Sequence, residues 1–217
     1  MKLCTIIGMG PGMGLAIARR FAQGGYTIAM LARKAETLEQ AGASMAVEGW
    51  PAHGYLADAG DAGKLTSVLE AVHALHGNTT VLVYNAAFMR PGKPGLLTAD
   101  RLADEFRVNV GGALTAVNVI SRQMKVEGGG TILFTGGGLA LEPYADWCSL
   151  SIGKAGLRNL AFSLHQELAP QGIHVGTVTI CGRVGSSPEL APARIAEAYW
   201  DLHNDPRGSF RPEIQRR

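Results

Sequence analysis

The segment that most constrains this chain is the run Leu3-Cys4-Thr5-Ile6-Ile7 followed at once by Gly8-Met9-Gly10-Pro11-Gly12-Met13-Gly14. The first five residues carry no charge and no apolar/polar alternation, as in a strand buried on both faces. After Gly14, residues Leu15, Ala18, Phe21 and Ala22 recur at helical spacing and define one apolar face. Between strand and helix stands Gly-x-x-x-Gly-x-Gly. Glycine permits a tight turn with positive φ and lets the backbone approach a ligand with no Cβ in the way. A helix that begins near Gly12 turns free N–H groups and its positive dipole end towards that ligand, which suits a phosphate. Tight helix–sheet packing is the other use of such a turn. The strand–turn–helix context favours a dinucleotide pyrophosphate on Gly8, Gly12, Met13 and Gly14.

The same alternation continues along the chain. Strand-like runs appear at Thr27 to Leu31, Val81 to Tyr84, Thr131 to Phe134 and Val175 to Ile180, with weaker ones at His53 to Leu56 and near Ser209 to Gln215. Helical stretches separate them. The stripe Leu157, Leu160, Ala161, Leu164 and Leu168 is closed by Pro170 and Gly172. The expected fold is therefore α/β: a Rossmann-type, doubly wound parallel sheet in three α/β/α layers, one domain over residues 1–217. A length of 217 residues suits one such core, and 47% hydrophobic against 18% charged residues is globular composition. A net charge of +2 gives no reason to expect nucleic acid or a membrane surface, and the basic residues Arg207, Arg211, Arg216 and Arg217 read as a solvated tail. Three cysteines, Cys4, Cys148 and Cys181, without CxxC spacing fit a reduced compartment. With no charged leader and no membrane-length apolar run, a cytoplasmic protein is expected. His73 and His76 lack a third ligand, so no metal is expected and both read as solvated helix residues.

With these pieces in order, the sequence resembles the short-chain dehydrogenase/reductase family across nearly its whole length. The GxxxGxG spacing is that family's variant. The resemblance places Asp58 at the adenine, Asn85-Ala86-Ala87 at the family's Asn-Asn-Ala-Gly with Tyr84 and Ala87 as departures, and Asn109 in the helix as the asparagine of a proton relay. It aligns Ser151 to Leu157 with the stretch around the catalytic lysine, here Lys154. It sets Cys181-Gly182 where the family has Pro-Gly beside the nicotinamide, with Gly182 and Val184 as cofactor contacts. Family enzymes interconvert carbonyls and alcohols: a tyrosine exchanges the proton, a lysine four residues on lowers its pKa, and a serine holds the substrate oxygen. Lys154 also implies a hydrogen bond to the nicotinamide ribose.

Two positions depart from that pattern. Leu150 stands four residues before Lys154 where the tyrosine belongs, and Gly137 stands thirteen residues earlier where the serine belongs. Tyr144, on the loop into the helix, is the candidate substitute donor or an ordinary loop tyrosine. Cys148 reads as a buried, inert thiol, Asp146 as a helix cap rather than an acid–base group, and Thr135 as a strand threonine without special role. Arg33, nineteen residues after Gly14, occupies the place of the acid that selects NAD; a guanidinium there suits a 2′-phosphate. NADP is the expected cofactor, with NAD as the alternative. Only Arg183 to Glu189 separate Cys181-Gly182 from the next helix, Pro192 to His203, so an open pocket is expected. The functional expectation is an NADP(H)-dependent oxidoreductase with an atypical proton donor, acting on a small-molecule carbonyl or alcohol. The alternative is a non-catalytic NADP-binding protein. The family association implies a homodimer or homotetramer through the helices bearing Asn109 and Lys154.

Overall fold

The computed structural model describes residues 2–217. Seven strands alternate with helices: β1 (Leu3–Ile7), α1 (Met13–Gln23), β2 (Thr27–Ala32), α2 (Ala35–Val47), β3 (Ala52–Leu56), α3 (Ala62–His76), β4 (Thr79–Tyr84), α4 (Ala99–Phe106), α5 (Gly112–Val126), β5 (Gly130–Gly137), α6 (Cys148–Leu168), β6 (Ile173–Ile180), α7 (Pro192–His203) and β7 (Glu213–Arg216). They form one sheet in the order β3-β2-β1-β4-β5-β6-β7, and every pairing is parallel. The α/β fold expected from the alternation is what is observed.

The layers follow from side-chain alternation along the strands. Cys4, Ile6, Ile28, Met30, Val81, Val83 and Leu133 face one side, against residues of α1, α2 and α7. Leu3, Ile7, Leu31, Leu82, Tyr84, Ile132 and Phe134 face the other, against α3, α5 and α6. Every residue of β1, β2 and β6 is buried, which explains their lack of polar alternation. Each fully buried Leu, Ile or Phe side chain contributes about 1.5–3 kcal/mol. The edge strand β3 is half open, and accordingly its sequence signal was the weaker one.

Chain order reverses at β1 and β4, which are neighbours in the sheet although α1, β2, α2, β3 and α3 lie between them in sequence. A doubly wound sheet opens a crevice there, beyond the carboxyl ends of the strands. Gly8 to Gly14 follows β1 and Asn85 follows β4, so both lie at that crevice.

The basic end is not a solvated tail. Residues 213–216 pair in register with β6, from Thr177 opposite Glu213 to Ile180 opposite Arg216. Arg211 is held to Asp205 at 2.6 Å, and Arg216 reaches Asp201 at 3.4 Å. Charge density concealed a strand in which Glu213 pairs with Arg158, Ile214 packs against the core and Arg216 pairs with Asp201. His76 is likewise not merely solvated. Its ring stacks on His53 at 4.4 Å and its Nε2 meets the Tyr55 hydroxyl at 2.5 Å, closing the exposed edge beside β3.

Candidate active site

The glycine turn is built for close approach. Gly8 has φ +93°, and a Cβ there would fall on the backbone of Ala86. The amides of Gly8 and Met9 both donate to Leu31 O at 2.9 Å, and Asn85 N donates to Ile7 O at 2.8 Å. These bonds fasten the turn to β2 and β4. Gly12 is the residue before α1; no side chain caps that helix and no acid sits in its first turn. A Cβ built on Gly10 or Gly12 meets nothing within 4 Å. The turn therefore presents an uncapped helix N-terminus to open space, which fits a pyrophosphate.

A cleft of about 880 Å³ runs from this turn along the carboxyl ends of β4, β5 and β6. Its walls include Gly12 and Met13 from the turn, Asn85, the strand end Thr135 to Gly138, Leu150 and Lys154 from α6, and Cys181, Gly182 and Val184 beyond β6. Lys154 Nζ donates to Thr135 O at 2.6 Å. Burial of the amine with no carboxylate partner pulls its pKa down to about 8. Leu150, only 5% exposed, lies one turn earlier on the same face of α6. Gly137 is in extended conformation, and a Cβ there would touch the Lys154 stem at 3.4–3.5 Å.

A second cavity of about 250 Å³ lies across the turn, lined by Gly8, Arg33, Lys34, Asn85, Ala86 and Val108 among others. Arg33 and Lys34 are exposed, neither is paired with a carboxylate among the described residues, and Arg33 stands 5.9 Å from the Phe88 ring. The structure thus gathers Gly8, Gly12, Met13, Arg33, Asn85, Ala86, Lys154, Gly182 and Val184 around two adjoining cavities. Asp58 follows β3 on the outer side, exposed, with Oδ1 accepting from Gly60 N at 2.8 Å; it lines neither cavity.

Asn109 belongs to a π-helical turn, Arg107–Gly111, between α4 and α5. Its Oδ1 accepts from Phe88 N at 2.7 Å, fixing the loop after Asn85, and its buried Nδ2 has no partner among the described residues. A Cβ at Gly153 would stand 2.7 Å from that nitrogen, so glycine lets α6 close onto the asparagine. Asn109 lies behind the cleft rather than on its wall.

Tyr144 is 57% exposed and lines a separate groove with Cys148, Ser151 and Ile152, across the turn at Gly138–Ala140. The structure does not bring its side chain to Lys154. Asp146 does not cap α6: Trp147 is the cap residue, and Asp146 faces Lys93 at 3.6 Å. Cys148 is half-buried rather than buried. Loop and strand contacts at Gly92 set the entry to the helix, with Gly92 N donating to Asp146 O at 2.7 Å, and residue spacing carried no sign of that.

Thr135 is the residue that sequence reading passed over. Its hydroxyl donates to Asn85 Oδ1 at 2.8 Å and accepts from Tyr199 at 2.7 Å, while its carbonyl accepts a hydrogen bond from Lys154 Nζ. The available signal was a hydroxyl late in β5, directly before the three glycines Gly136 to Gly138.

Fold and site together define a dinucleotide-binding α/β protein with a lysine-bearing cleft. Residues 2–188 match the short chain dehydrogenase family, and the chain belongs to that family. It is 27% identical over 201 residues to dehydrogenase/reductase SDR family member 4 of Sus scrofa, covering 92% of this chain and 69% of that protein. D-threitol dehydrogenase of Mycolicibacterium smegmatis is 25% identical over 210 residues, covering 95% and 75%. A short-chain dehydrogenase from Rhodopseudomonas palustris superposes with a TM-score of 0.89 at 27% identity, covering 100% of this chain and 98% of the other. A metagenomic short-chain oxidoreductase crystallised with NADP gives a TM-score of 0.91 at 24% identity, covering 100% and 96%, a likeness of fold.

Proposed function

We propose that the protein is an NADP(H)-dependent oxidoreductase for a carbonyl/alcohol pair, working without the family's usual tyrosine and serine. The observation that carries this reading is the convergence of the open glycine turn and the enclosed Lys154 amine on one cleft. NADP(H), when bound, supplies or accepts the hydride. Gly12, Met13 and the start of α1 hold the pyrophosphate, and Arg33 holds the 2′-phosphate. Asn85, Gly182 and Val184 border the nicotinamide end. Apolar Met89, Leu139, Leu141 and Leu150 wall the substrate side.

With Leu150 and Gly137 at the family's acid and serine positions, no tyrosine lines the cleft. Lys154 then holds the proton that reaches the substrate oxygen. An amine near pKa 8 is protonated at neutral pH and close enough to it to release the proton. Asn109 positions this wall through the Phe88 loop, and Tyr144 stands outside it in its own groove. The exposed apolar residues Phe106, Leu114 and Ile152 on α4, α5 and α6 support association with further copies of the chain.

The test is NADPH titration followed by turnover on a panel of aldehydes, ketones and quinones. The expected result is tighter binding of NADPH than NADH and measurable oxidation with at least one class. NADPH binding with no oxidation above background would leave a non-catalytic NADP-binding protein as the better account. Tyr144→Phe should leave the rate unchanged; abolished turnover would make that phenol the donor.

A further inference from the structure

Tyr199 of α7 lies wholly inside the molecule and belongs to no wall of the cleft. Its hydroxyl nonetheless begins a chain of hydrogen bonds that ends at the glycine turn. Tyr199 OH donates to Thr135 Oγ1 at 2.7 Å, Thr135 Oγ1 donates to Asn85 Oδ1 at 2.8 Å, and Asn85 Nδ2 donates to Gly8 O at 2.7 Å. Successive partners stand 64, 50 and 77 residues apart in sequence, yet every donor in the series has its acceptor. We propose that Tyr199 is a positioning residue for the cofactor site: through Thr135 it fixes which way the Asn85 carboxamide faces, and so holds the Gly8 carbonyl and the turn beyond it. This inference rests on the reading of the turn as the dinucleotide site.

The direction of the chain is what makes the phenol matter. A threonine hydroxyl has one proton and can accept as well as donate. Because the phenol gives its proton to Thr135, the hydroxyl of Thr135 spends its own on Asn85. Asn85 must then turn its oxygen to Thr135 and its nitrogen to Gly8 O. The opposite orientation would set two carbonyl oxygens against each other at the turn. A phenol enclosed this completely stays neutral, since burial pushes its ionisation far up, and it remains a donor throughout the ordinary pH range. Neighbouring bonds in a buried series also polarise and strengthen one another.

Thr135 adds a second branch. Its carbonyl accepts from Lys154 Nζ at 2.6 Å, so a single strand residue ties α7, the β4 end, the glycine turn and the cleft lysine together. The helix α7, packed beside α1 on one face of the sheet, thereby acts on the turn without touching cofactor or substrate.

The experiment compares full-length wild type, Tyr199→Phe, Thr135→Val, Thr135→Ser and the double variant Tyr199→Phe/Thr135→Val. NADPH dissociation constants are measured by fluorescence, unfolding midpoints by denaturant, and the Asn85 side-chain amide resonance by NMR in the cofactor-free protein. Tyr199→Phe and Thr135→Val should each weaken NADPH roughly three- to tenfold. The double variant should be no weaker than Thr135→Val alone, and Thr135→Ser should stay close to wild type. The Asn85 amide should shift in Tyr199→Phe. A Tyr199→Phe protein with a lower unfolding midpoint but an unchanged NADPH constant and an unmoved Asn85 resonance would overturn the relay. A wild type that binds no dinucleotide would overturn the reading of the turn, while the Asn85 resonance still decides whether the phenol orients it.

Discussion

Restoring the family's acid and serine is the sharpest test of where the chemistry sits. The perturbation is Leu150→Tyr together with Gly137→Ser. Position 137 has φ −158° and ψ 146°, ordinary extended backbone, so serine adds no conformational strain there. Its Cβ would rest at van der Waals distance from the Lys154 stem. Leu150 borders the cleft, and a tyrosine in its place directs its ring into a space of about 880 Å³ rather than into packed core. Imperfect repacking around the ring costs about 1–3 kcal/mol, which a folded domain tolerates. The gain is a phenol one helical turn from an ammonium that favours its ionised form. A positioned general acid contributes about 10²–10⁴-fold in rate. The assay is single-turnover NADPH oxidation with the best substrate of the panel, with denaturant unfolding and NADPH binding as controls. The double variant is expected to be at least about 10²-fold faster. A variant that folds, binds NADPH as wild type does and is no faster would refute the placement of Leu150 and Gly137 at the reacting atoms.

Three further outcomes follow from the same geometry. On the proposed reading, Arg33→Ser should weaken NADPH about tenfold and leave NADH nearly unchanged, since its exposed guanidinium has no carboxylate partner among the described residues and only NADPH carries a 2′-phosphate for it to meet; equal loss for both cofactors in paired titrations would contradict it. Lys154→Met should abolish turnover yet raise unfolding free energy at pH 7 by about 1–2 kcal/mol, because the folded state no longer encloses a charged amine. Between about pH 8 and the unfolded lysine value the unfolded wild-type chain binds more protons than the folded one, so wild-type stability climbs with pH and the variant's advantage disappears; denaturant unfolding at pH 7, 9 and 11 measures this. Gly8→Ala should cost at least about 2 kcal/mol and eliminate NADPH binding, since it sets a Cβ on the Ala86 backbone and forces alanine to positive φ; a stable variant that binds would refute the tight turn.

Much of this molecule was legible from local pattern. Uncharged four- to six-residue runs located β1, β2, β4, β5 and β6, because strands covered on both faces need nothing polar. The helix expected at Pro192 to His203 is α7 to the residue, set by proline at its first position and an apolar stripe through Ile195, Ala196, Tyr199 and Leu202. The last strand was less clear, since Glu213, Gln215 and Arg216 are polar and gain their strand conformation from β6 rather than from propensity. In the site, Lys154 and the glycine turn were readable because each carries its function in its own spacing. Asp58, Tyr144 and Asp146 were placed by position along the chain, and the loop contacts at Gly92 and Gly60 decide their surroundings instead. Thr135 was read as a strand threonine without special role and Tyr199 was not singled out, because their partners lie 50 and 64 residues away.

Those separations also bear on how the protein comes to have a cleft at all. β1 must find β4 across α1, β2, α2, β3 and α3, α1 packs on α7 from the opposite end of the chain, and Thr135 joins Asn85 after β4, Lys154 of α6 and Tyr199 of α7. Loop closure on this scale is entropically unfavourable until long-range contacts form, and parallel sheets of this kind are slow to assemble. Individual strand–helix units can collapse early, but the Tyr199–Thr135–Asn85 join exists only once both ends of the chain have docked. Acquisition of NADPH binding should therefore trail the recovery of helical signal during refolding, and a nascent chain still lacking α7 should show secondary structure before it can hold a dinucleotide.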